Sequence, residues 1–523
     1  MRARTYLTTG YQKRCPGWVS QMRNLFGQAS VARRGVVVVA ALVVGWSMVA
    51  SPVQPTGAAA AAVFTCGGNS GLADEDLVVG VPNAGLVDIH PAGGGSRVLS
   101  LPLGRAVDRF GAAIGVVGLD GDSCNDLVVG APGRGGAGQG RTGAVFLFFS
   151  TASGPGTGAR MRLPYVGSPG DGFGASLAVE GRRWAPRGEP VGGDVRIWVG
   201  IPGRDVAGQV DAGAVAYYKI TAAGQVSGPT LYTQNNDGVP GRAEAGDRFG
   251  QVLSPVPSGV VVGTPREDVF TKTDAGLVTV LPAPGVTPTG PGPYAAHEDT
   301  PGIPGTAEAG DRFGAAISFG RLVGVPGKDI GGVRDTGRVH QLAMAAGSFR
   351  SLGAFSQNSP GVPGANEPGD AFGASLRAGA ASDGVCHEKF AIGAPGEDLG
   401  DVKDAGMVTL YPSGSLADRH HCILHQGPDA KAEDRFGASL GLFQGRVGEP
   451  SERTLIIGIP GQDLGSFHDV GAVLTSQGPS GHGSSAMFTL SSGPRLGDQA
   501  TRGLLPGIRY GSVIAQGALN YGY

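Results

Sequence analysis

The sequence predicts an all-β fold in which seven four-stranded sheets close into a ring. The first observation is a repeated start, Asp-x-Phe-Gly, which recurs at intervals of 63, 76, 64, 59 and 64 residues. Its aromatic residues are Phe110, Phe173, Phe249, Phe313, Phe372 and Phe436. A seventh start, Arg509-Tyr510-Gly511, lies near the C-terminus and lacks the aspartate. Short apolar runs between Gly and Pro turns at such a period are typical of radial or solenoid repeat folds.

The second observation is an apolar run that closes on Gly-x-Pro. It also occurs seven times, with its glycine at Gly80, Gly130, Gly200, Gly263, Gly324, Gly393 and Gly458. The first of these runs has no Phe-Gly start before it, and the last Tyr-Gly start has no Gly-x-Pro run after it. Because a closed ring needs two halves of one unit at opposite ends of the chain and a linear stack does not, we predict a seven-bladed β-propeller over residues 63–523.

Each unit is interpreted as a blade of four strands. The first strand runs from Phe-Gly into small residues, as in Gly314-Ala315-Ala316, and suits the crowded axis of a ring. The second ends at Gly-x-Pro, where proline stops the ladder. The third follows Asp-x-Gly, as in Asp335-Thr336-Gly337, and the fourth is the least regular. The proline-rich stretch 282–293 is predicted to join a third and a fourth strand, and no window predicts a helix.

Residues 1–62 are predicted to be a secretory leader. The first 34 residues carry seven basic and no acidic side chains. They are followed by an uncharged, mostly apolar run of 16 residues, Gly35 to Ala50, and then by small residues at Ala58 to Ala62. This order is that of a signal peptide, and the run is shorter than the ~20 residues that span a membrane. We therefore expect a secreted protein of the cell envelope, in contact with a membrane only if the leader is retained. Translation starting at Met22 is an alternative.

Charge argues against nucleic acid as a partner. The whole chain has 41 basic and 43 acidic residues; without the leader, 34 basic and 43 acidic residues remain, a net charge of −9. A mildly acidic exported domain is a poor candidate for binding nucleic acid or anionic lipid. The expected partner is an extracellular protein or polysaccharide, bound by a monomer.

Four cysteines remain after the leader, and an even number in an exported protein predicts disulfides. They are Cys66, Cys124, Cys386 and Cys422. Cys66 and Cys124 precede the Gly-x-Pro strands of neighbouring blades, while Cys386 and Cys422 precede the second and fourth strands of one repeat. Of the three connectivities, we favour 66–124 and 386–422.

The Phe-Gly … Gly-Ala-Pro unit resembles the FG-GAP repeat of the integrin α-subunit head, a seven-bladed β-propeller, and of bacterial secreted proteins built from the same unit. The resemblance extends over about 450 residues. It implies a binding or adhesion-type module without catalysis, although one fold hosts many functions. A hydrolase working in the mouth of the ring and a purely structural envelope protein are the alternatives.

The resemblance also implies a calcium site. The family often places Ca²⁺ between the first and second strands, in an Asp-x-Asp-x-Asp-Gly-x-x-Asp-like loop whose oxygens suit a hard cation. One loop matches it, at Asp120, Asp122 and Asp126. Because Gly118 replaces the first acidic position and Cys124 lies inside the loop, a plain acidic turn tied to a disulfide is the alternative.

Two other loops carry regularly placed carboxylates. The loop before Phe-Gly contains Glu244, Asp247, Glu308, Asp311, Glu367, Asp370, Glu433 and Asp434. The loop after Gly-x-Pro contains Asp205, Asp268, Asp329, Asp398 and Asp463. Both connections emerge at the same end of an up-and-down blade, so we expect an acidic face there. Its carboxylates either cap turns by accepting backbone N–H bonds or form a face that binds a partner or a cation.

One catalytic motif match is interpreted as a blade residue. Ser439 lies in Gly-x-Ser-x-Gly, but Ser176 and Ser375 occupy the same place in other repeats. The motif also lacks the strand-turn-helix context of a nucleophile elbow. We therefore predict no enzyme activity.

Overall fold

The protein is described by a computed structural model. The described residues are 76–90, 97–102, 104–120, 124–135, 140–151, 154, 156, 160–181, 183–184, 190–191, 193–221, 224–257, 259–285, 292–345, 347–379, 388–412, 422–446, 449–463, 468–476, 486–488, 512–514 and 516–517. The leader (1–62), Cys66, Asp122 and Cys386 lie outside these ranges. Within them, no helix has the length and apolar character needed to cross a membrane.

The described residues form 31 strands and two short 3₁₀ turns, Ala106–Asp108 and Gly427–Asp429. The strands of the first half are β1 (Leu77–Val81), β2 (Leu86–His90), β3 (Arg97–Ser100), β4 (Ala113–Val117), β5 (Asp126–Ala131), β6 (Ala144–Phe148), β7 (Arg160–Arg162), β8 (Leu177–Glu180), β9 (Arg183–Trp184), β10 (Pro190–Val191), β11 (Val195–Ile201), β12 (Ala214–Ile220), β13 (Val226–Tyr232), β14 (Val252–Val256), β15 (Gly259–Thr264), β16 (Leu277–Pro282) and β17 (Tyr294–Ala296). Those of the second half are β18 (Ala316–Ser318), β19 (Leu322–Val325), β20 (Arg338–Ala345), β21 (Ser348–Phe355), β22 (Ser375–Ala378), β23 (Glu388–Ala394), β24 (Met407–Pro412), β25 (Cys422–Leu424), β26 (Ser439–Arg446), β27 (Glu449–Ile459), β28 (Ala472–Ser476), β29 (Ala486–Phe488), β30 (Val513–Ile514) and β31 (Gln516–Gly517).

The strands form seven antiparallel four-stranded blades, as the sequence predicted. From the first strand outwards, the blades are β30-β1-β2-β3, β4-β5-β6-β7, β8-β11-β12-β13, β14 to β17, β18 to β21, β22 to β25 and β26 to β29, numbered here as blades 1 to 7. The pair β9-β10 is a separate hairpin within blade 3. The proline-rich stretch 283–293 joins β16 to β17, the third and fourth strands of blade 4, as predicted.

The C-terminal strand closes the ring. β30 pairs with β1 in antiparallel register, with Ile514 opposite Val79 and Val513 opposite Gly80. The first strands also contact one another in a complete cycle, β4, β8, β14, β18, β22, β26, β30 and back to β4. The predicted closure is therefore confirmed. One feature was not predicted: β31 continues the chain into blade 2 and pairs in parallel with β4.

The hydrophobic core is divided among the seven junctions between neighbouring blades. Each junction has its own cluster of buried side chains, for example Ile456 and Val473 of blade 7 with Val79 and Ile514 of blade 1. The six phenylalanines of the Phe-Gly starts are each at most 1% exposed. Burying a phenylalanine from water contributes roughly 1.5–3 kcal/mol, so six of the seven junctions are each stabilised by one of these aromatic residues.

Glycines allow the blade backbones to touch at these junctions. A Cβ added to Gly130 of a Gly-x-Pro turn would lie 2.1 Å from the carbonyl oxygen of Gly174, in the next Phe-Gly start. A Cβ on Gly213 of an Asp-x-Gly turn would lie 2.3 Å from the backbone nitrogen of Phe249. The repeated glycines are thus required by close approach of neighbouring blades.

Candidate functional site

Two sets of loops meet at one end of the ring and form what we call the loop face. It consists of the connections after the second strands (203–213, 266–276, 327–337, 396–406 and 461–471) and the loops before the Phe-Gly starts (104–109, 164–172, 233–248, 297–312, 356–371 and 425–435). The backbone joins the two sets across blades, since Arg248 N–H donates to the Asp211 carbonyl at 3.0 Å and Phe249 N–H to Ala212 at 2.9 Å. Equivalent bonds link the later blades, so the loop face is one continuous hydrogen-bonded surface.

Five aspartates of the loop face cap the connections after the second strands. Each accepts a hydrogen bond from the backbone N–H six residues later. The acceptors and distances are Asp205 at 3.0 Å, Asp268 at 2.9 Å, Asp329 at 2.9 Å, Asp398 at 2.9 Å and Asp463 at 3.1 Å. Their placement agrees with the interpretation that these carboxylates hold turns.

The aspartates of the Phe-Gly starts are buried. Each accepts a bond from the backbone N–H three residues earlier. Examples are Asp247 from Glu244 at 2.5 Å, Asp311 from Glu308 at 2.7 Å, Asp370 from Glu367 at 2.6 Å and Asp434 from Lys431 at 2.7 Å. These four are at most 2% exposed. The sequence pattern placed them on a face, but they are buried beside the connection after the second strand, from which Gly327 N–H donates to the Asp311 carbonyl at 3.1 Å.

The loop face is also of mixed charge. Lys403 pairs with Asp398, Lys431 Nζ lies 3.9 Å from Asp463, and Arg248 lies 3.6 Å from Asp211. Part of the negative charge expected at this face is therefore buried, and part is paired with basic side chains of the same loops.

One repeat position is occupied by different residues in different blades. In blades 2 to 7 this residue lies beside the buried aspartate. In blades 3 to 7 it directly precedes the capping aspartate in the sequence. It is Arg134, Arg204, Glu267, Lys328, Glu397 or Gln462. This variable residue and the buried aspartate form what we call a junction cluster. In blades 4 to 7 the cluster also includes the Gln or Glu that follows the fourth strand of the preceding blade.

In blades 2, 3 and 5 the variable residue neutralises the buried aspartate. Arg134 lies 2.6 Å from Asp108, and Arg204 lies 3.4 Å from Asp171. In blade 5, Lys328 Nζ lies 3.0 Å from Asp311 Oδ2.

Glu298 adds a second carboxylate around the same ammonium. Its Oε2 lies 3.2 Å from Lys328 Nζ, and its Oε1 lies 2.8 Å from His340 Nε2. Burial opposes ionisation of Glu298, but His340 and the charges of Lys328 and Arg338 hold the pKa of Glu298 below its ordinary value. Blade 5 therefore has an internally balanced ionic cluster.

In blades 4 and 6 the variable residue is a second carboxyl group. Burial is the main cause that raises the pKa of Asp247 to about 7 and that of Glu267 to about 8. The same cause raises the pKa values of Asp370 and Glu397 to about 7. The sequence analysis missed Glu267 and Glu397 as members of a site, although the change of charge at this repeat position was visible.

Most large apolar side chains exposed among the described residues belong to the loop face. Val107, Val166, Val210 and Phe270 are 45%, 81%, 60% and 84% exposed and lie in loops of blades 2 to 4. Phe270 stands out because it has a left-handed φ of 57°, which is strained for a bulky aromatic residue. At the same hairpin tip, blades 5 and 6 have Gly331 and Gly400.

The predicted calcium loop is only partly described. Asp126 is buried and accepts two backbone bonds, from Leu119 N–H at 2.6 Å and from Ser150 N–H at 2.7 Å. Asp120 is exposed, and Asp122 lies outside the described residues. Asp126 thus has a role in holding the blade.

The cysteine pairings are not tested. Cys124 is buried and disulfide-bonded, but its predicted partner Cys66 is not described. Cys386 and the side chain of Cys422 also lie outside the described part, so the pairings 66–124 and 386–422 stay predictions.

The serines of the nucleophile-like motif hold neighbouring blades together. Ser176 Oγ donates to the Gly250 carbonyl at 2.6 Å, and Ser375 Oγ donates to Gly437 at 2.5 Å. Both acceptors belong to the next Phe-Gly start, which agrees with a structural role at this repeat position. Across the described ranges, no three His, Cys, Asp or Glu side chains are grouped so that they could hold a metal ion.

Comparison with known proteins agrees with this geometry. Residues 110–148, which contain β4, β5 and β6 of blade 2, match the FG-GAP repeat family. No curated protein matches the chain. The buried Phe-Gly start and the Gly-x-Pro turn of this segment recur around the ring. The chain therefore contains an FG-GAP repeat in blade 2 and folds as a seven-bladed β-propeller, which fits an integrin α-like propeller built from such repeats.

Proposed function

We propose that the chain is a secreted, non-catalytic binding module that holds an extracellular protein on its loop face. The observation that carries this proposal is the position of Phe270, an aromatic side chain 84% exposed at a hairpin tip. Exposed aromatic residues on rigid frameworks are common anchors of protein interfaces.

Neighbouring side chains support a protein partner more than a polysaccharide. Val107, Val166 and Val210 add exposed apolar surface on adjacent blades, and the loops around them carry charges of both signs. An apolar centre with a polar rim is the usual composition of a protein interface. Phe270 is the only aromatic among the large exposed hydrophobic residues of the described ranges, whereas sugar recognition commonly uses several.

The test uses the exported protein with Phe270→Gly, the residue that blades 5 and 6 have at this tip. Because glycine accepts the left-handed conformation without strain, we expect the variant to fold with unchanged or higher stability. Pull-down from envelope fractions should recover a protein with the wild type and lose it with the variant. Leu352→Ser, on the outer strand β21 and 43% exposed in the wild type, is the control that should retain the partner.

Three other outcomes would overturn the assignment. Binding on a glycan array, with no captured protein, would make the ligand a polysaccharide. Turnover in a general hydrolase screen would replace binding by catalysis. Equal capture by wild type and Phe270→Gly would place the interface elsewhere.

Secretion rests on the leader, residues 1–62, with its basic, apolar and small-residue regions. N-terminal sequencing of the protein from the medium or envelope should find a start near residue 63. Recovery of the full leader on protein from the cell interior would contradict the proposal.

A calcium ion in the loop of Asp120, Asp122 and Asp126 is also a proposal. The carboxylate spacing supports it, and Asp126 is already fixed by two backbone bonds. Calcium titration of Asp122→Asn against the wild type should show one site fewer in the variant.

A further inference from the structure

The junction clusters of blades 5 and 6 occupy equivalent places but differ in charge balance. In blade 5, Lys328 Nζ is surrounded by oxygens of Asp311 at 3.0 Å, Glu298 at 3.2 Å and Glu308 at 2.9 Å. Its side chain is only 5% exposed. This position between the blades is therefore a pocket of oxygen atoms that holds a positive charge.

Blade 6 keeps the oxygens and replaces the ammonium. Glu397 takes the place of Lys328, Asp370 that of Asp311, and Gln357 that of Glu298. Gln357 Nε2 donates to Glu397 Oε2, and the charge of Glu397 acts on Asp370, so the three side chains form one cluster. Asp370, Glu397 and Gln357 are 0%, 7% and 1% exposed. The charged groups that act on the two carboxyls, Glu367 and Asp398, are also acidic.

Two oxygens of this cluster have no hydrogen-bond partner although they are buried: Asp370 Oδ1 and Gln357 Oε1. A buried polar atom without a partner is destabilising, roughly by 1–3 kcal/mol, and usually indicates a missing water or ion. An amide oxygen such as Gln357 Oε1 can only accept a hydrogen bond or bind a cation. It needs a donor or a cation.

Blade 4 repeats this arrangement. Gln234 Nε2 donates to Glu267 Oε2 at 2.5 Å, and Gln234 Oε1 is buried without a partner. The charged groups that act on Asp247 and Glu267 are acidic as well: Glu244, Asp268 and Asp274.

Loop glycines lie directly against both clusters. A Cβ on Gly364 would lie 3.1 Å from Gln357 Nε2 and 3.7 Å from Glu397 Oε1. A Cβ on Gly241 would lie 2.6 Å from Gln234 Nε2 and 3.1 Å from Glu267 Oε1. The loops above blades 4 and 6 thus approach the clusters without a side chain of their own.

We propose that the clusters Asp370–Glu397–Gln357 and Asp247–Glu267–Gln234 each bind a hard divalent cation in the place that the Lys328 ammonium occupies in blade 5. All the side-chain ligands are carboxylate or amide oxygens, which favours Ca²⁺ over metals that prefer nitrogen or sulfur. Each cluster has two carboxylates and one amide, with Glu367 or Glu244 in the loop above. Water completes the coordination. A divalent ion balances the two carboxylate charges, which neither glutamine nor backbone N–H can do.

These sites differ from the loop of Asp120, Asp122 and Asp126, and they do not depend on the partner proposed for Phe270. They lie at the opposite ends of the second strands, and their role is to join neighbouring blades. The cation would act as a removable counterpart of Lys328.

The experiment uses the chain's own blades as templates. Glu267→Lys and Glu397→Lys reproduce blade 5, and Asp122→Asn serves as the background that removes the other proposed calcium site. Thermal unfolding is measured at pH 8 with CaCl₂, with MgCl₂, and with KCl at equal ionic strength. In the Asp122→Asn background, calcium should raise Tm by about 2 °C or more. Isothermal titration should find two calcium ions per chain.

The lysine variants should remove this response stepwise. One substitution should leave one calcium ion per chain, and the double variant should leave none while keeping a Tm at least equal to that of the calcium-free parent. Asp401→Lys makes the same change of charge on an exposed residue of the loop face in blade 6 and should keep both ions. If a lysine variant does not fold, Glu397→Gln, which copies Gln462 of blade 7, should lose its calcium ion instead.

Three results would overturn the proposal. The first is a Tm in the Asp122→Asn background that responds equally to CaCl₂ and KCl. The second is a full calcium response in the double lysine variant or in Glu397→Gln. The third is loss of calcium in Asp401→Lys, which would show that the ions are held by diffuse surface charge.

Discussion

The junctions packed by the Phe-Gly starts, here called Phe-Gly seams, lie only a few residues from the junction clusters. The seams are nearly identical around the ring, whereas the clusters differ in charge between blades. At the seams, buried phenylalanines and glycine backbones fill a space whose shape is set by the blade geometry. In the clusters, Arg134, Glu267, Lys328 and Gln462 occupy equivalent positions with charges from positive to negative. Close packing between backbones requires glycine, whereas the oxygen-lined position accepts basic, neutral and acidic side chains.

The largest effect should come from breaking a seam. Phe372→Ala removes a side chain that is 0% exposed and leaves a cavity between blades 5 and 6. We expect it to lower the free energy of unfolding by about 3–5 kcal/mol in urea denaturation. Phe270→Ala, at the exposed hairpin tip, should change it by less than about 0.5 kcal/mol. Similar losses for the two variants would contradict the distinction between seam and surface aromatics.

Removing the charge of Lys328 should have the next largest effect. Lys328→Met leaves Glu298 and Asp311 buried without their shared cation, which should destabilise the protein by roughly 3 kcal/mol. Lys403→Met, which breaks the exposed pair with Asp398, should lower stability by at most ~1 kcal/mol. A double variant, Lys328→Met with Asp311→Asn, should recover part of the loss. If it does not, the cluster is held by packing rather than by charge.

The junction cluster of blade 7, in which the uncharged Gln462 lies beside Asp434, should show its effect in the pH dependence of stability. Burial, partly offset by the Lys431 backbone N–H and charge, raises the pKa of Asp434 to about 6, above its value in the unfolded chain. Its contribution to stability is therefore present below pH ~4 and is lost as the pH rises through about 6, by an amount on the order of 2 kcal/mol.

Asp434→Asn should remove this dependence. The difference in unfolding free energy between variant and wild type should move in favour of the variant from pH 4 to pH 7. A constant difference over that range would show that Asp434 titrates as it does in the unfolded chain. Asp463 and Lys431 also act on Asp434, so both are kept unchanged in the comparison.

The smallest effect should come from a capping carboxylate of the loop face. Asp329→Ala removes the acceptor of the Asp335 N–H bond at 2.9 Å. Because Asp329 is exposed, the loss should be about 1 kcal/mol in urea denaturation. Asp401→Ala, on an exposed residue of the equivalent loop in blade 6, is the control and should be close to neutral. A neutral Asp329→Ala would leave this residue free for a role in binding.

Much of the architecture could be predicted because few other residues could replace those that define the repeat. Glycines such as Gly130 and Gly213 mark places where backbones touch, and the unmatched half-units at the two ends predicted the pairing of Ile514 with Val79. The capping aspartates could also be predicted as turn residues, because their bonds are local. The parallel pairing of β31 with β4 could not, since two residues carry no pattern.

The charge of the loop face was harder to predict. Asp205 and Asp247 look equally polar in sequence, but Asp205 is exposed, whereas Asp247 is 2% exposed. The difference depends on the connection after the second strand, which lies about 20 residues away along the chain. The clusters of Glu267 and Glu397 were missed for the same reason, because the members of each cluster come from two separate loops.

By itself, the sequence determined the all-β class, the seven blades, their strand order and the closure of the ring, because a repeated pattern of glycine, proline and apolar runs leaves few other ways to bury its strands. Only the tertiary structure decided which carboxylates are exposed, which are paired and which meet another carboxylate in a buried position. Those properties depend on burial and on distances between loops of adjacent blades, and a one-dimensional pattern contains neither.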